Sequence, residues 1–153
     1  MGVSGSGKSS IGQALASELG ISFFDADDFH PLANIQKMKS GKPLNDADRW
    51  PWLGALREKL EQEKSDCVLA CSALKESYRE KLHSIEYDLK TVVLLCDRET
   101  LLARMKKRSH FMPPELLDSQ LNTLEIPSYG LHLSTAKRSH QSTLKTIKNY
   151  LWN

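Results

Sequence analysis

Cysteine is scarce in this sequence: Cys67, Cys71 and Cys96 are the only three among 153 residues. All sit in or beside apolar runs, which argues against a disulfide framework and predicts buried thiols in a reducing compartment. The five histidines are scattered, so no tight Cys/His cluster of a metal site occurs. Long apolar runs are missing too, and so is a secretory leader, which argues against a membrane span or export. Neither sign of charge dominates. Lys and Arg number 21 against 19 Asp and Glu, a net +2, which gives no reason to invoke nucleic acid or a membrane surface as partner. No repeat, linker or low-complexity segment divides the chain, so residues 1–153 read as a single domain.

What is present starts at once. Gly2-Val3-Ser4-Gly5-Ser6-Gly7-Lys8-Ser9 matches G-x-x-x-x-G-K-[ST], the Walker A phosphate-binding loop, at every position. Gly2, Gly5 and Gly7 allow positive φ, so that successive N–H groups turn toward one anion. Lys8 adds a charge that reaches the outer phosphates, and the Ser9 hydroxyl suits a Mg²⁺ shell. A helix through Ser10 should put its positive end beneath them. The bland alternative is a flexible Gly/Ser terminus, against which an amphipathic pattern follows immediately: Ile11, Ala14, Leu15 and Leu19 share a helical face. Met1 to Ser6 also matches an N-myristoylation pattern, a coincidence of composition, since an acyl chain on Gly2 would occupy the phosphate loop. One thing is lacking here as well. Such a loop is normally fed by a buried strand, and only Met1 precedes Gly2.

Further along, strand-like runs alternate with helical spacing. Ile21–Phe24, Cys67–Cys71 and Thr91–Cys96 read as buried strands, and Leu131–Ser134 as a short one. Between them lie helices carrying Leu32, Ile35 and Met38; Leu53, Leu56 and Leu60, opening near Pro51 after a polar turn at Asn45–Arg49; Leu74, Tyr78 and Leu82, with Ser72 as N-cap; Leu101 and Met105, capped by Asp97; and Leu117, Leu121 and Leu124 after Pro113-Pro114. A last one carries Leu144, Ile147 and Leu151. That alternation predicts an α/β protein whose parallel sheet is covered on both faces.

Three more constellations carry chemistry. Asp25-x-Asp27-x-x-His30 lies at the carboxyl end of a strand, the edge where open α/β sheets bind ligands. Period two points both carboxylates the same way. They suit Mg²⁺ held through water and a proton taken from an attacking hydroxyl; a solvated acidic turn is the open alternative. Arg104 and Arg108, followed by His110, sit four apart on a segment that can bring positive charge to a transferring phosphoryl group, or else form a basic helix end. Ser72, Lys75 and Arg79 lie past a strand end, and Arg49 in a polar turn. They suit an anionic, hydroxyl-rich substrate, or else capping and a charged face.

Taken together, Gly2–Ser9, Asp25–Pro31, Asn34–Met38 with Gly41, Pro43–Arg49 with Pro51–Leu53, Cys71–Lys75, Tyr78-Arg79, His110–Met112, Ser119-Gln120 and Thr123–Glu125 resemble the gluconokinases, P-loop kinases related to shikimate kinase. The resemblance implies a three-layer α/β/α fold with a parallel sheet, here with its first, central strand truncated, and a lid region at about 109–120. It implies ATP-dependent phosphorylation of D-gluconate to 6-phospho-D-gluconate, with ATP and Mg²⁺ as cofactors, a cytoplasmic setting and often a homodimer. By similarity, residues Gly2 to Ser10 bind ATP, with Ser9 and Asp25 toward the metal. Lys8, Asp25, Arg104 and Arg108 serve catalysis, and Asp27, His30, Arg49, Ser72, Lys75, Arg79 and His110 face the substrate. Two other readings follow from the same residues: a kinase-derived nucleotide-binding module without turnover, and a kinase for another small hydroxy acid such as shikimate.

Overall fold

A computed structural model describes residues 1–83, 87–107 and 112–152. The phosphate loop leads directly into α1 (Lys8–Leu19), which ends on a left-handed Gly20. There follow β1 (Ser22–Asp25), a 3-10 turn at Ala26–Phe29, α2 (Leu32–Lys39), α3 (Asp46–Gln62), β2 (Cys67–Ala70), α4 (Glu76–Leu82), β3 (Val92–Leu95) and α5 (Arg98–Lys107). The chain closes with a 3-10 turn at Pro114–Leu116, α6 (Leu117–Thr123), β4 (Leu131–Ser134) and α7 (His140–Leu151).

The four strands form two parallel pairs. β1 pairs with β2 from Ser22↔Cys67 to Asp25↔Ala70, and β3 with β4 from Val92↔Leu131 to Leu95↔Ser134. Successive residues of a strand turn their polar backbone groups to opposite edges. On β3, the Val92 carbonyl accepts from the Met1 amino group, and the Leu94 N–H donates to the Met1 carbonyl at 2.9 Å. Met1 thus sits in strand register on the edge of β3 away from β4. Among the described residues, no strand joins the two pairs into one sheet.

Two apolar clusters hold the layers. Ile11 and Leu15 of α1 and Leu144 and Ile147 of α7 pack on Leu94 and Leu133 of the β3–β4 pair. On the other side Val3, Trp52, Leu53, Leu56, Leu74, Tyr78, Leu101 and Leu117 form the larger core. Most of the expected elements are found, with five differences. α3 starts at Asp46, five residues before Pro51, because Asn45 and Asp48 close a reciprocal capping box that recruits the expected polar turn into the helix. Pro51 then lies inside α3 and forgoes one backbone hydrogen bond. Ser72 does not cap α4, which begins at Glu76 without a side-chain cap. β1 is only half-buried, and of the three thiols Cys71 alone is fully buried, since short strands in separate pairs are covered less completely. In α2 the buried residues are Asn34 and Met38, while Leu32 is 69% exposed.

Candidate active site

The phosphate loop adopts the expected curl: φ is +147° at Gly2, +81° at Gly5 and +97° at Gly7. The first two glycines are also required by space. A Cβ on Gly2 would lie 2.6 Å from the Leu94 carbonyl oxygen, and one on Gly5 would lie 3.0 Å from that of Leu101. The loop is therefore seated on β3 and α5, and its path leads into the first turn of α1 with Lys8, Ser9 and Ser10. Lys8 Nζ donates to the Val3 carbonyl at 3.2 Å. Ser10 Oγ returns to the Gly7 carbonyl at 3.1 Å.

Two recesses open on either side of this loop. The first is lined by Ser4, Lys8, Asp27, His30, Arg49, Trp52, Ser72 and Gln120, with Met112, Leu116 and other apolar side chains. Its floor is set by the turn after β1. The Asp25 carboxylate accepts from the Asp27 N–H at 3.1 Å, and Trp52 Nε1 of α3 donates to the buried Ala26 carbonyl at 2.7 Å. The His30 ring stacks on Trp52, centroids 4.2 Å apart and 15° from parallel. Burial, and then the nearby Arg49 charge, hold the His30 imidazole down at about 4, so it is neutral at pH 7. Arg49 is buried and donates to the Leu44 carbonyl at 2.6 Å and the Tyr78 hydroxyl at 3.4 Å. A buried guanidinium and a lysine in one recess make it a place for anions.

The residues expected past β2 divide. Ser72 lines the recess. Arg79 does not: its guanidinium donates to the carbonyls of Ala73 (2.8 Å) and Leu74 (3.3 Å), to Glu76 and to the Tyr129 hydroxyl. It thereby fixes the turn in which Ala73 takes a positive φ of 43°, a conformation that needs support from its surroundings. Lys75 points to the exposed Asp46 carboxylate, 2.8 Å away, and stands outside the recess lining. Its hydrogen bond, followed by that of Tyr78, holds Asp46 below the usual carboxylate range.

The second recess has about 220 Å³ of open space between the loop and the β4–α7 turn, lined by Gly5, Ser6, Gly7, Ser10, Arg104, Thr135, Arg138, His140 and Thr143. Arg104 of α5 closes one wall. It donates to the Gly5 carbonyl at 3.3 Å and to Thr135 at its hydroxyl (3.2 Å) and carbonyl (2.8 Å). The Thr135 hydroxyl also reaches the Ser6 carbonyl at 3.1 Å. Arg108 and His110 lie outside the described residues. Gln120, Trp52, Thr135 and Arg138 are site residues that spacing did not reveal. Trp52 and Gln120 do lie in stretches that carry the family resemblance, and Thr135 sits at a strand-to-helix turn, the sheet edge where ligands gather.

A complete phosphate loop flanked by two recesses, each lined by charged side chains, is the layout of a kinase. The profile of the shikimate kinase family matches residues 4–148. A probable gluconokinase of Xenopus tropicalis is 47% identical over 147 residues, with 84% of this chain and 77% of that protein covered. The chain belongs to the gluconokinase family. Solved structures agree. A gluconokinase from Sinorhizobium meliloti superposes with a TM-score of 0.85 at 42% identity, covering 99% of this chain and 93% of that one. A sugar kinase from Janibacter sp. HTCC2649 gives 0.90 at 38% identity, covering 99% and 91%. Those neighbours establish the α/β fold of P-loop kinases for this gluconokinase-family chain, and membership makes it a phosphotransferase that uses ATP. Among the described residues, no helix is long and apolar enough to cross a membrane.

Proposed function

We propose that this chain transfers the terminal phosphoryl group of ATP to D-gluconate, giving 6-phospho-D-gluconate. The observation that carries the reading is the recess that places Lys8, Asp27, His30 and Arg49 together beside the phosphate loop. In this reading the second recess takes the nucleoside end of ATP, and the loop N–H groups and Lys8 take the phosphates. Arg49, buried and cationic, meets the sugar-acid carboxylate. Neutral His30 and the Ser72 hydroxyl bond to hydroxyl groups of the chain. Asp27 accepts the proton of the attacking hydroxyl as the phosphoryl group moves. Arg104 braces the loop against the β4–α7 turn and offers positive charge to that transfer.

Magnesium suits the oxygen donors present. The Ser9 hydroxyl lies in the first turn of α1, and the Asp25 carboxylate at the end of β1 accepts the Asp27 N–H through Oδ1. Ser9 and Asp25 would hold the ion, Asp25 through water, and it would neutralise phosphate charge when bound. By resemblance the protein is cytoplasmic and of a family that often forms homodimers; sedimentation measures the assembly. A single domain over residues 1–153 is the organisation we propose. The test is a coupled ADP-release assay across D-gluconate, shikimate and a panel of other sugar acids and polyols. Gluconate-dependent ADP release well above the others supports the reading. Turnover only with shikimate, or none with any acceptor, refutes it.

A further inference from the structure

Gln120 joins the two parts of the site. It sits on α6, it is 8% exposed, and it comes from a segment 116 residues away from the phosphate loop it touches. Its side-chain oxygen accepts from the buried Ser4 N–H at 2.7 Å. A backbone N–H can only donate, so this bond dictates which end of the amide faces the loop. The NH₂ end is left on the acceptor side, in the recess shared with Lys8, Asp27, His30 and Arg49. There its neighbour is the Met112 thioether sulfur at 3.9 Å, a weak acceptor. The helix presenting it is itself held in place. Leu117 is buried in the larger core, and Arg98 of α5 makes paired bonds of 2.6 and 2.8 Å to Asp118.

We propose that Gln120 is a positioning and specificity residue: its carbonyl holds the Ser4 end of the phosphate loop, and its NH₂ group donates to a hydroxyl of the acceptor. One rigid amide then sets the loop and the acceptor in a common register. A buried amide donor whose one bond among the described residues is to a sulfur gains a full partner when a polyhydroxylated acceptor binds, and it discriminates against an acceptor lacking that hydroxyl. The inference rests on the proposed gluconate reading and adds to it.

Two variants separate the two ends of the amide. Gln120→Glu keeps an oxygen for the Ser4 N–H and removes the donor. Gln120→Met keeps the length and volume and removes both. Each is assayed with D-gluconate and with deoxy-gluconates that lack one hydroxyl at a time, and Ser4 amide exchange is followed by NMR without substrate. Gln120→Glu should raise KM for gluconate about 10-fold, with KM for ATP and Ser4 protection close to wild type. Gln120→Met should in addition lose Ser4 protection and lower kcat roughly 10- to 100-fold. One deoxy-gluconate should lose about 10-fold in kcat/KM with the wild type and lose nothing further with either variant, a pattern that charge repulsion from the new Glu cannot mimic. Deoxy penalties unchanged by the variants, or Ser4 protection indifferent to Gln120→Met, overturn the proposal while wild-type turnover leaves the gluconate reading standing. A wild type inactive on gluconate overturns both.

Discussion

The two sides of the phosphate loop are built by different means. On the proposed acceptor side, side chains from the turn after β1, α3, the turn after β2 and α6 converge, and three of them are held by bonds to backbone groups: Trp52 to Ala26, Arg49 to Leu44, Gln120 to Ser4. On the proposed nucleotide side, the loop and the β4–α7 turn are tied together by Arg104 and the Thr135 hydroxyl, with Arg138 and His140 on the same lining. Backbone groups recognise phosphate wherever it occurs, whereas a set of charged and aromatic side chains answers to one acceptor. In the proposed reading, the chemistry common to phosphate-loop kinases lies on the nucleotide side and the choice of substrate on the acceptor side.

Removing Lys8 should erase the distinction, because its charge serves the phosphates that both sides share. Lys8→Ala should lower kcat at least about 10³-fold and move the melting temperature by no more than about 2 °C; gluconate-dependent ADP release and a thermal melt check both. Asp27→Asn should act on the acceptor side, lowering kcat roughly 10²- to 10⁴-fold with KM for ATP little changed. For Asp25→Asn the expected signature is instead a higher Mg²⁺ requirement, read from a magnesium titration of rate. Equal thermal destabilisation of the two variants with retained turnover would make this acidic turn structural.

Arg104→Ala should act on the nucleotide side. We expect kcat to fall about 10- to 100-fold and KM for ATP to rise, with KM for gluconate unchanged. Arg104→Lys should recover little, since a single ammonium cannot span Gly5 and both Thr135 oxygens. A pure loss of gluconate affinity would instead move Arg104 to the acceptor side.

The strand pairs offer a test of stability. Val92 and Leu94 already bind Met1 in strand register, and β2 pairs only with β1 among the described strands. An apolar segment of about five residues joined ahead of Met1 would extend that pairing back past Val92 toward Thr91 and cover apolar surface. It should raise the melting temperature by roughly 5–10 °C and sharpen turnover. A high, cooperative melt and full activity without it would remove the need for that segment.

The smallest effect concerns His30. Unfolded, it takes a proton near pH 6.5; folded, only near pH 4. Between those values the unfolded state binds more protons, so stability falls as pH falls from 6.5 to 4 and is unaffected above. In His30→Gln that part of the acid sensitivity should be lost, a difference of roughly 3–6 °C in melting temperature at pH 4.5, measured against the wild type across the same range.

Much of the molecule was written locally. The phosphate loop is legible because its function depends on consecutive backbone groups, and glycine positions alone specify their path. The helices of Ile11 and Leu15, Leu101 and Met105, and Leu144 and Ile147 are legible because one apolar face in 3.6-residue spacing has to meet a core. Misreadings occurred where a local signal had two uses. Pro51 marks a helix start in most settings, but the Asn45–Asp48 capping box had already started α3. Ser72 caps many helices, yet here it faces the recess while α4 begins four residues later. Arg79 and Lys75 looked like substrate ligands because a positive charge near a strand end suits an anion. The fold bonds Arg79 to a strained turn and Lys75 to Asp46.

The sequence by itself therefore determined the phosphate loop, the order of strands and helices, and the acidic turn at Asp25–His30. It also determined the family, through motifs spread over most of the chain. Only the tertiary structure decided which charges share a cavity, that Arg104 is tied to Thr135, that His30 is kept neutral against Trp52, and that Gln120 reaches Ser4. Periodicity and turn chemistry act over a few residues. A hydrogen bond between groups 31 or 116 positions apart depends on how layers pack, and no local spacing encodes that distance.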